Sequence, residues 1–193
     1  KAPQKIGFNW ARKSRARLLK EQEHVYLIGK NLNYIVALEA ALKLKETSYL
    51  HAEAFASAEL KHGVLSLIEK GSYCLTFASN DMHLQEVISS STEIATRGGV
   101  IISASPKPNE IFTHHIQTQD IGKLTAILNI TVSQLLAYYL GLERGADPDK
   151  PRNLAKSVTV KWGEIFSNMT ACRAGIQNRQ RQNDFISFSQ PSI

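Results

Sequence analysis

The chain has 193 residues, of which 43% are hydrophobic and 21% charged, an ordinary globular composition with enough length for one domain and a sizeable core. No run approaches eighteen apolar residues and no apolar stretch follows the basic N-terminus, so neither a membrane span nor a secretory signal is expected. The formal net charge of +6 sits at the ends: residues 1–23 carry seven Lys/Arg against two Glu and residues 161–193 four against two, whereas residues 24–160 carry twelve against thirteen.

Residues 8–23 read as a basic helix with Trp10, Ala11, Leu18 and Leu19 as its few apolar contacts. Residues 1–23 are therefore a solvated arm leading into the domain. A nucleic-acid partner is not expected, because binding footprints cluster on a folded face. Residues 25–29 (VYLIG) form a short β-rich run ending in Gly, which suits a buried parallel strand. A helix follows from about residue 32 to 50, and a strand–Gly–helix junction is where open α/β sheets bind ligands. Residues 51–68 read as a connection with a short helical piece near 53–60.

The second strand is expected over residues 73–78. Cys74 lies within it and reads as a buried thiol of a reducing, cytoplasmic compartment; with Cys172 it makes too few cysteines for a disulfide framework, and neither has metal-site spacing. A helix over residues 84–97 closes on Gly98-Gly99, and its Ser89-Ser90-Ser91-Thr92 run would spend its backbone amides inside the helix. Residues 100–104 are the third strand, Pro106 and Pro108 mark the loop after it, and residues 111–117 are a weaker fourth strand. Residues 124–142 form a long apolar helix, broken by the 145–151 segment. Asn129-Ile130-Thr131 and Asn168-Met169-Thr170 match the glycosylation pattern by chance. Residues 161–193, rich in Asn, Gln and Ser, read as a loosely ordered extension. The alternation predicts a doubly wound parallel sheet of about five strands, with residues 25–29 central and helices on both faces.

The most informative stretch is residues 37–63, ALEAALKLKETSYLHAEAFASAELKHG. Glu39, Lys43 and Glu46 follow at steps of four and three and so share one helical stripe. With His62 sixteen residues beyond Glu46, they form a candidate acid–base cluster. The competing reading is a solvated ion-pair face, and spacing alone favours it.

Residues 37–63, followed far downstream by PRNLAKSVTV at 151–160, resemble the glucosamine-6-phosphate synthase family, the isomerising glutamine–fructose-6-phosphate aminotransferases. The match is to the second sugar isomerase (SIS) subdomain and covers roughly residues 25–160. The resemblance implies an α/β three-layer SIS domain at 24–160 with a flavodoxin-like sheet. It implies that Lys156 forms a Schiff base with the sugar's C2 carbonyl, which requires an unprotonated amine. It implies that Glu46 moves a proton between C1 and C2, and that His62 opens the sugar ring across a dimer interface. Lys43 and Glu39 are implied as substrate-binding groups.

The implied ligand is a sugar phosphate, fructose 6-phosphate or glucosamine 6-phosphate, with no cofactor and no metal, and the implied assembly is a homo-oligomer. Departures are Val64 where the family has Pro, and the extension after residue 160. The Ser/Thr-rich phosphate loop of the first SIS subdomain has no counterpart, nor does the glutaminase domain. The expectation is half of an isomerase site, to be completed by a partner. The alternatives are a non-catalytic phosphosugar-binding SIS module and a nucleic-acid-binding protein acting through residues 1–23.

Overall fold

The structure is a computed structural model that describes residues 14–154, all within one compact unit. Five strands form one sheet: β1 His24–Gly29, β2 His51–Ala56, β3 Tyr73–Phe77, β4 Val100–Ser105 and β5 His114–Gln117. Their order is β2-β1-β3-β4-β5 and every pairing is parallel, the flavodoxin-like winding. Among the described residues, three complete α-helices cover it: α1 Leu32–Ser48, α2 Leu84–Ala95 and α3 Thr125–Glu143.

Alternation along the strands splits the core in two. Val25, Leu27, Leu75, Phe77, Ile102, Ala104 and Ile116 join the buried faces of α1 and α3. Ile28, Cys74 and Ile101 point the other way, under Ile94 of α2 and Leu60, Val64 and Ile68 of the segment after β2. The layers are thus α1/α3, sheet, and α2 with two short 3-10 turns, Ser57–His62 and Val64–Leu67. α3 is long and apolar enough by composition to cross a bilayer, but half of it is buried in the protein. Asn129 sits at 0% exposure inside the fold, so it is no glycosylation acceptor.

Three details differ from the sequence reading. The connection at 51–68 begins with an edge strand, β2, paired with β1 along its whole length. Its HAEAFA sequence is alanine-rich and has little intrinsic strand preference, so only the period-2 alternation marks it. β1 is not the middle strand: β3 is, with β1 beside the edge. α1 stops at Ser48 because Tyr49 turns left-handed, φ 56°, which ends the helical hydrogen bonding two residues early.

Residues 14–18 are helical, and Ala16 and Leu19 are buried in the α1/α3 core. The Arg144 guanidinium, at the end of α3, ties that segment down. It donates to the carbonyls of Lys20 at 3.0 Å, Ser48 at 3.2 Å and Gln22. Residues 1–13 and 155–193, and with them Lys156, Cys172 and Asn168, lie outside the described residues.

Candidate active site

α1 starts two residues after β1 with no side-chain cap, and Gly29 is what permits it. A Cβ there would lie 2.1 Å from the Asn33 carbonyl oxygen. From this start α1 buries Asn33, Val36, Ala37, Ala40, Ala41 and Leu44, and presents Glu39, Lys43 and Glu46 on its outer side. The alanines and Gly141 bring α3 into backbone contact. A Cβ on Gly141 would stand 2.6 Å from the Thr47 carbonyl, and the Thr47 hydroxyl donates to the carbonyls of Lys43 at 2.8 Å and Ala137 at 3.0 Å.

The structure brings Glu39, Lys43 and Glu46 together. Lys43 Nζ lies 2.8 Å from Glu46 Oε2 and 3.6 Å from Glu39 Oε1, with all three side chains about a third exposed. The hydrogen bond to Glu46 is the main reason the Lys43 ammonium is held above the ordinary lysine range, against a smaller opposing effect of burial. Lys43 is therefore a fixed positive charge beside two carboxylates and a poor nucleophile.

His62 is not part of this group in one chain. It ends the Ser57–His62 turn, exposed, while Leu60 beside it packs into the core on the opposite face of the sheet. A depression of about 400 Å³ beside that turn is lined by Ser57, Lys61, Ser89, Ser90 and Glu93. The Ser89–Thr92 run lies inside α2, with the Ser90 hydroxyl bonded to the Ser57 carbonyl at 2.9 Å.

Lys156 lies outside the described residues, but the segment leading to it is placed. The Arg152 backbone N–H donates to the Tyr49 hydroxyl at 2.9 Å, and its guanidinium carbon lies 4.0 Å from the Tyr49 ring centroid. The 151–154 segment is therefore held at the end of the helix that carries Glu46. Sequence reasoning missed Tyr49; its position three residues after Glu46, just past the helix, was the available signal.

A further cleft of about 290 Å³ opens where β1 and β3 diverge to opposite helix layers, lined by Asn31, Leu32, Ser79, Asp81, His83 and Lys123 among others. None of Glu39, Lys43, Glu46 or His62 lines it. Beneath it, Asn129 Nδ2 donates to Asn33 Oδ1 at 2.8 Å and Asn33 Nδ2 to the Ser79 hydroxyl at 2.9 Å. Among the described residues no group of three or more His, Cys, Asp or Glu is arranged to hold a metal ion.

The sequence profile of the SIS domain matches residues 18–144. A glutamine–fructose-6-phosphate aminotransferase (isomerizing) of Caldanaerobacter subterraneus subsp. tengcongensis is 43% identical over 142 residues, covering 71% of this chain and 23% of that protein. The enzyme of the same name from Symbiobacterium thermophilum is 42% identical over 165 residues, covering 83% of this chain and 27% of its own length. Among solved structures, the C-terminal domain of glucosamine-fructose-6-phosphate aminotransferase from Francisella tularensis superposes with a TM-score of 0.68 at 30% identity, over 75% of this chain and 42% of that one. The chain spans about a quarter of the length of the curated relatives it matches.

Proposed function

The chain belongs to the SIS-domain family, and on that premise we propose that it carries one half of a sugar-phosphate isomerase/aminotransferase site working on fructose 6-phosphate toward glucosamine 6-phosphate. In this reading the Lys156 amine adds to the open-chain C2 carbonyl and water leaves, giving the Schiff base. Ammonia then displaces the Lys156 amine at C2 and leaves a free ketose imine. Glu46 removes a proton from C1 and one is returned at C2, turning that imine into a 2-amino aldose. His62 of a neighbouring copy opens the sugar ring. Lys43 and Glu39 hold the sugar. The phosphate is gripped by a first SIS subdomain and the amino group is supplied by a glutaminase partner, neither of which has a counterpart in these residues.

The observation that carries the reading is the Lys43 ammonium clamped between Glu46 and Glu39 on the outer side of α1. The pair with Glu46 holds the Lys43 amine protonated more firmly than an ordinary lysine, which makes it the weaker nucleophile and supports assigning the imine to another amine. The Arg152–Tyr49 contact supports Lys156, because it starts that lysine's segment beside the same helix. The outer faces of α1 and α3 expose Ile35, Leu38, Leu42, Ile127 and Tyr138, which supports a second SIS half or a second copy packing there. A cytoplasmic setting fits this metabolism.

The test is borohydride reduction with fructose 6-phosphate, with and without the first SIS subdomain of a relative, followed by peptide mass spectrometry. The reading expects an adduct on Lys156 that disappears in Lys156→Ala and is strengthened by the added subdomain. An adduct on Lys43 that persists in Lys156→Ala, or none under either condition, overturns it.

A further inference from the structure

At the end of the sheet opposite the Gly29 turn, His24 and His51 are the first residues of β1 and β2 and are direct partners in the parallel register. Both are exposed. Their Nδ1 atoms face each other at 3.1 Å, with the ring planes at 87° and the centroids 5.1 Å apart. The parallel ladder, not a chance rotamer, keeps the two side chains neighbours, because paired Cα atoms on adjacent strands are locked about 5 Å apart.

A hydrogen bond between two Nδ1 atoms at 3.1 Å has one nitrogen donating and the other accepting, so in this contact one ring offers its Nδ1 lone pair. When both rings carry their proton on Nε2, both Nδ1 lone pairs converge and no proton remains to bridge them. An ion at the usual zinc–imidazole distance of roughly 2.0–2.1 Å from each nitrogen would see them at an angle of about 95–102°. That lies between the square-planar and tetrahedral values, the range that borderline dications accept from imidazole.

We propose that His24 and His51 form a two-imidazole site for a transition-metal dication of the zinc, nickel or copper class, with the remaining coordination positions taken by water. The bound ion replaces the proton between the two Nδ1 atoms, and that proton moves to Nε2 of the same ring, so each histidine stays neutral. β2 is an edge strand held by β1 alone in the sheet. The ion therefore fastens its first residue to β1. β2 is also the link between α1, which carries Glu46, and the turn that carries His62. The site is independent of the sugar-phosphate reading.

The experiment is titration of the intact chain with Zn2+ alone, followed by calorimetry, and hydrogen exchange of the β2 amides with and without the ion. The expected result is one equivalent bound with micromolar affinity, weakened at least tenfold in both His24→Ala and His51→Ala and unchanged in His83→Ala. Exchange in β2 should slow on adding Zn2+ in the parent and not in either variant. His24→Gln, which keeps a polar side chain at the strand start, should also lose the ion, which separates ligation from a folding defect. No binding at millimolar Zn2+, or binding and slowed exchange that survive both substitutions, overturns the proposal.

Discussion

Arg152 lies over the face of Tyr49, its guanidinium carbon 4.0 Å from the ring centroid, while its own amide donates to the same tyrosine's hydroxyl at 2.9 Å. One aromatic residue thus holds the 151–154 segment at both side chain and backbone. Tyr49→Phe keeps the ring and removes the acceptor, so the Arg152 amide should exchange with solvent at least several-fold faster while stability falls by less than about 1 kcal/mol. Tyr49→Ala also removes the cation–π contact, worth roughly 0.5–1 kcal/mol at such an exposed site. Exchange of the Arg152 amide by NMR or mass spectrometry reads both, and an unchanged rate in Tyr49→Phe would refute the anchoring.

Glu46→Gln should cost no more than about 1 kcal/mol at neutral pH, since the Lys43 pair is partly solvated. The sign of its pH dependence follows from Lys43. Its folded pKa is raised above the unfolded value, so the pair's contribution is fully present below the unfolded lysine pKa and is lost as pH rises through the folded one. The stability gap between parent and Glu46→Gln should be flat from pH 6 to 9 and close above about pH 10.5. Urea midpoints at pH 7 and pH 11 check this.

Burial pushes the Cys74 thiol up to about 12, so at pH 8 it carries almost no thiolate. Peptide mapping after alkylation at that pH should find Cys74 unmodified in the native chain and modified in urea. Labelling of the native residue within minutes would contradict its buried position.

Gly29→Ala would drive a Cβ into the Asn33 carbonyl, and because that atom is backbone, α1 must shift. A destabilisation of about 2–4 kcal/mol is expected, in the overpacking range or above it. The shift in denaturation midpoint measures it, and a loss under about 0.5 kcal/mol would mean that the junction is looser than the structure shows.

Asn33→Ala removes both the acceptor for Asn129 and the donor to Ser79, all three being buried. It should cost about 1–3 kcal/mol, the penalty of leaving buried polar groups unpaired. Asn33→Asp keeps an acceptor for Asn129 Nδ2, but loses the donor to Ser79 and buries a charge with no cation to pair it among these contacts, and it should do no better than alanine at pH 7.

The fold was legible because β1, β3 and β4 are concentrated apolar runs and because α1 and α3 are long enough for their period to show. β2 was not, since three of its six residues are alanine and an edge strand needs little apolar surface. The stripe of Glu39, Lys43 and Glu46 followed from helical geometry, and the structure adds which carboxylate the lysine prefers. Its separation from His62 could not be read, because which face a connection packs on depends on the winding of the whole sheet. Tyr49 was hidden for a similar reason: its partner Arg152 is 103 residues away. The cleft between β1 and β3 had one local clue, Gly29.

The contact of α1 with α3 at Gly141 means that the spacing of these helices is set by an atom that is missing. Interfaces separated by side chains can drift as leucines and valines exchange, each swap nudging one helix against the other. This one rests on main chain against main chain, so aliphatic turnover elsewhere in the core leaves the three charges of α1 where they are. One added methyl at position 141 would push against the Thr47 carbonyl and so displace the helix that carries all three charges together.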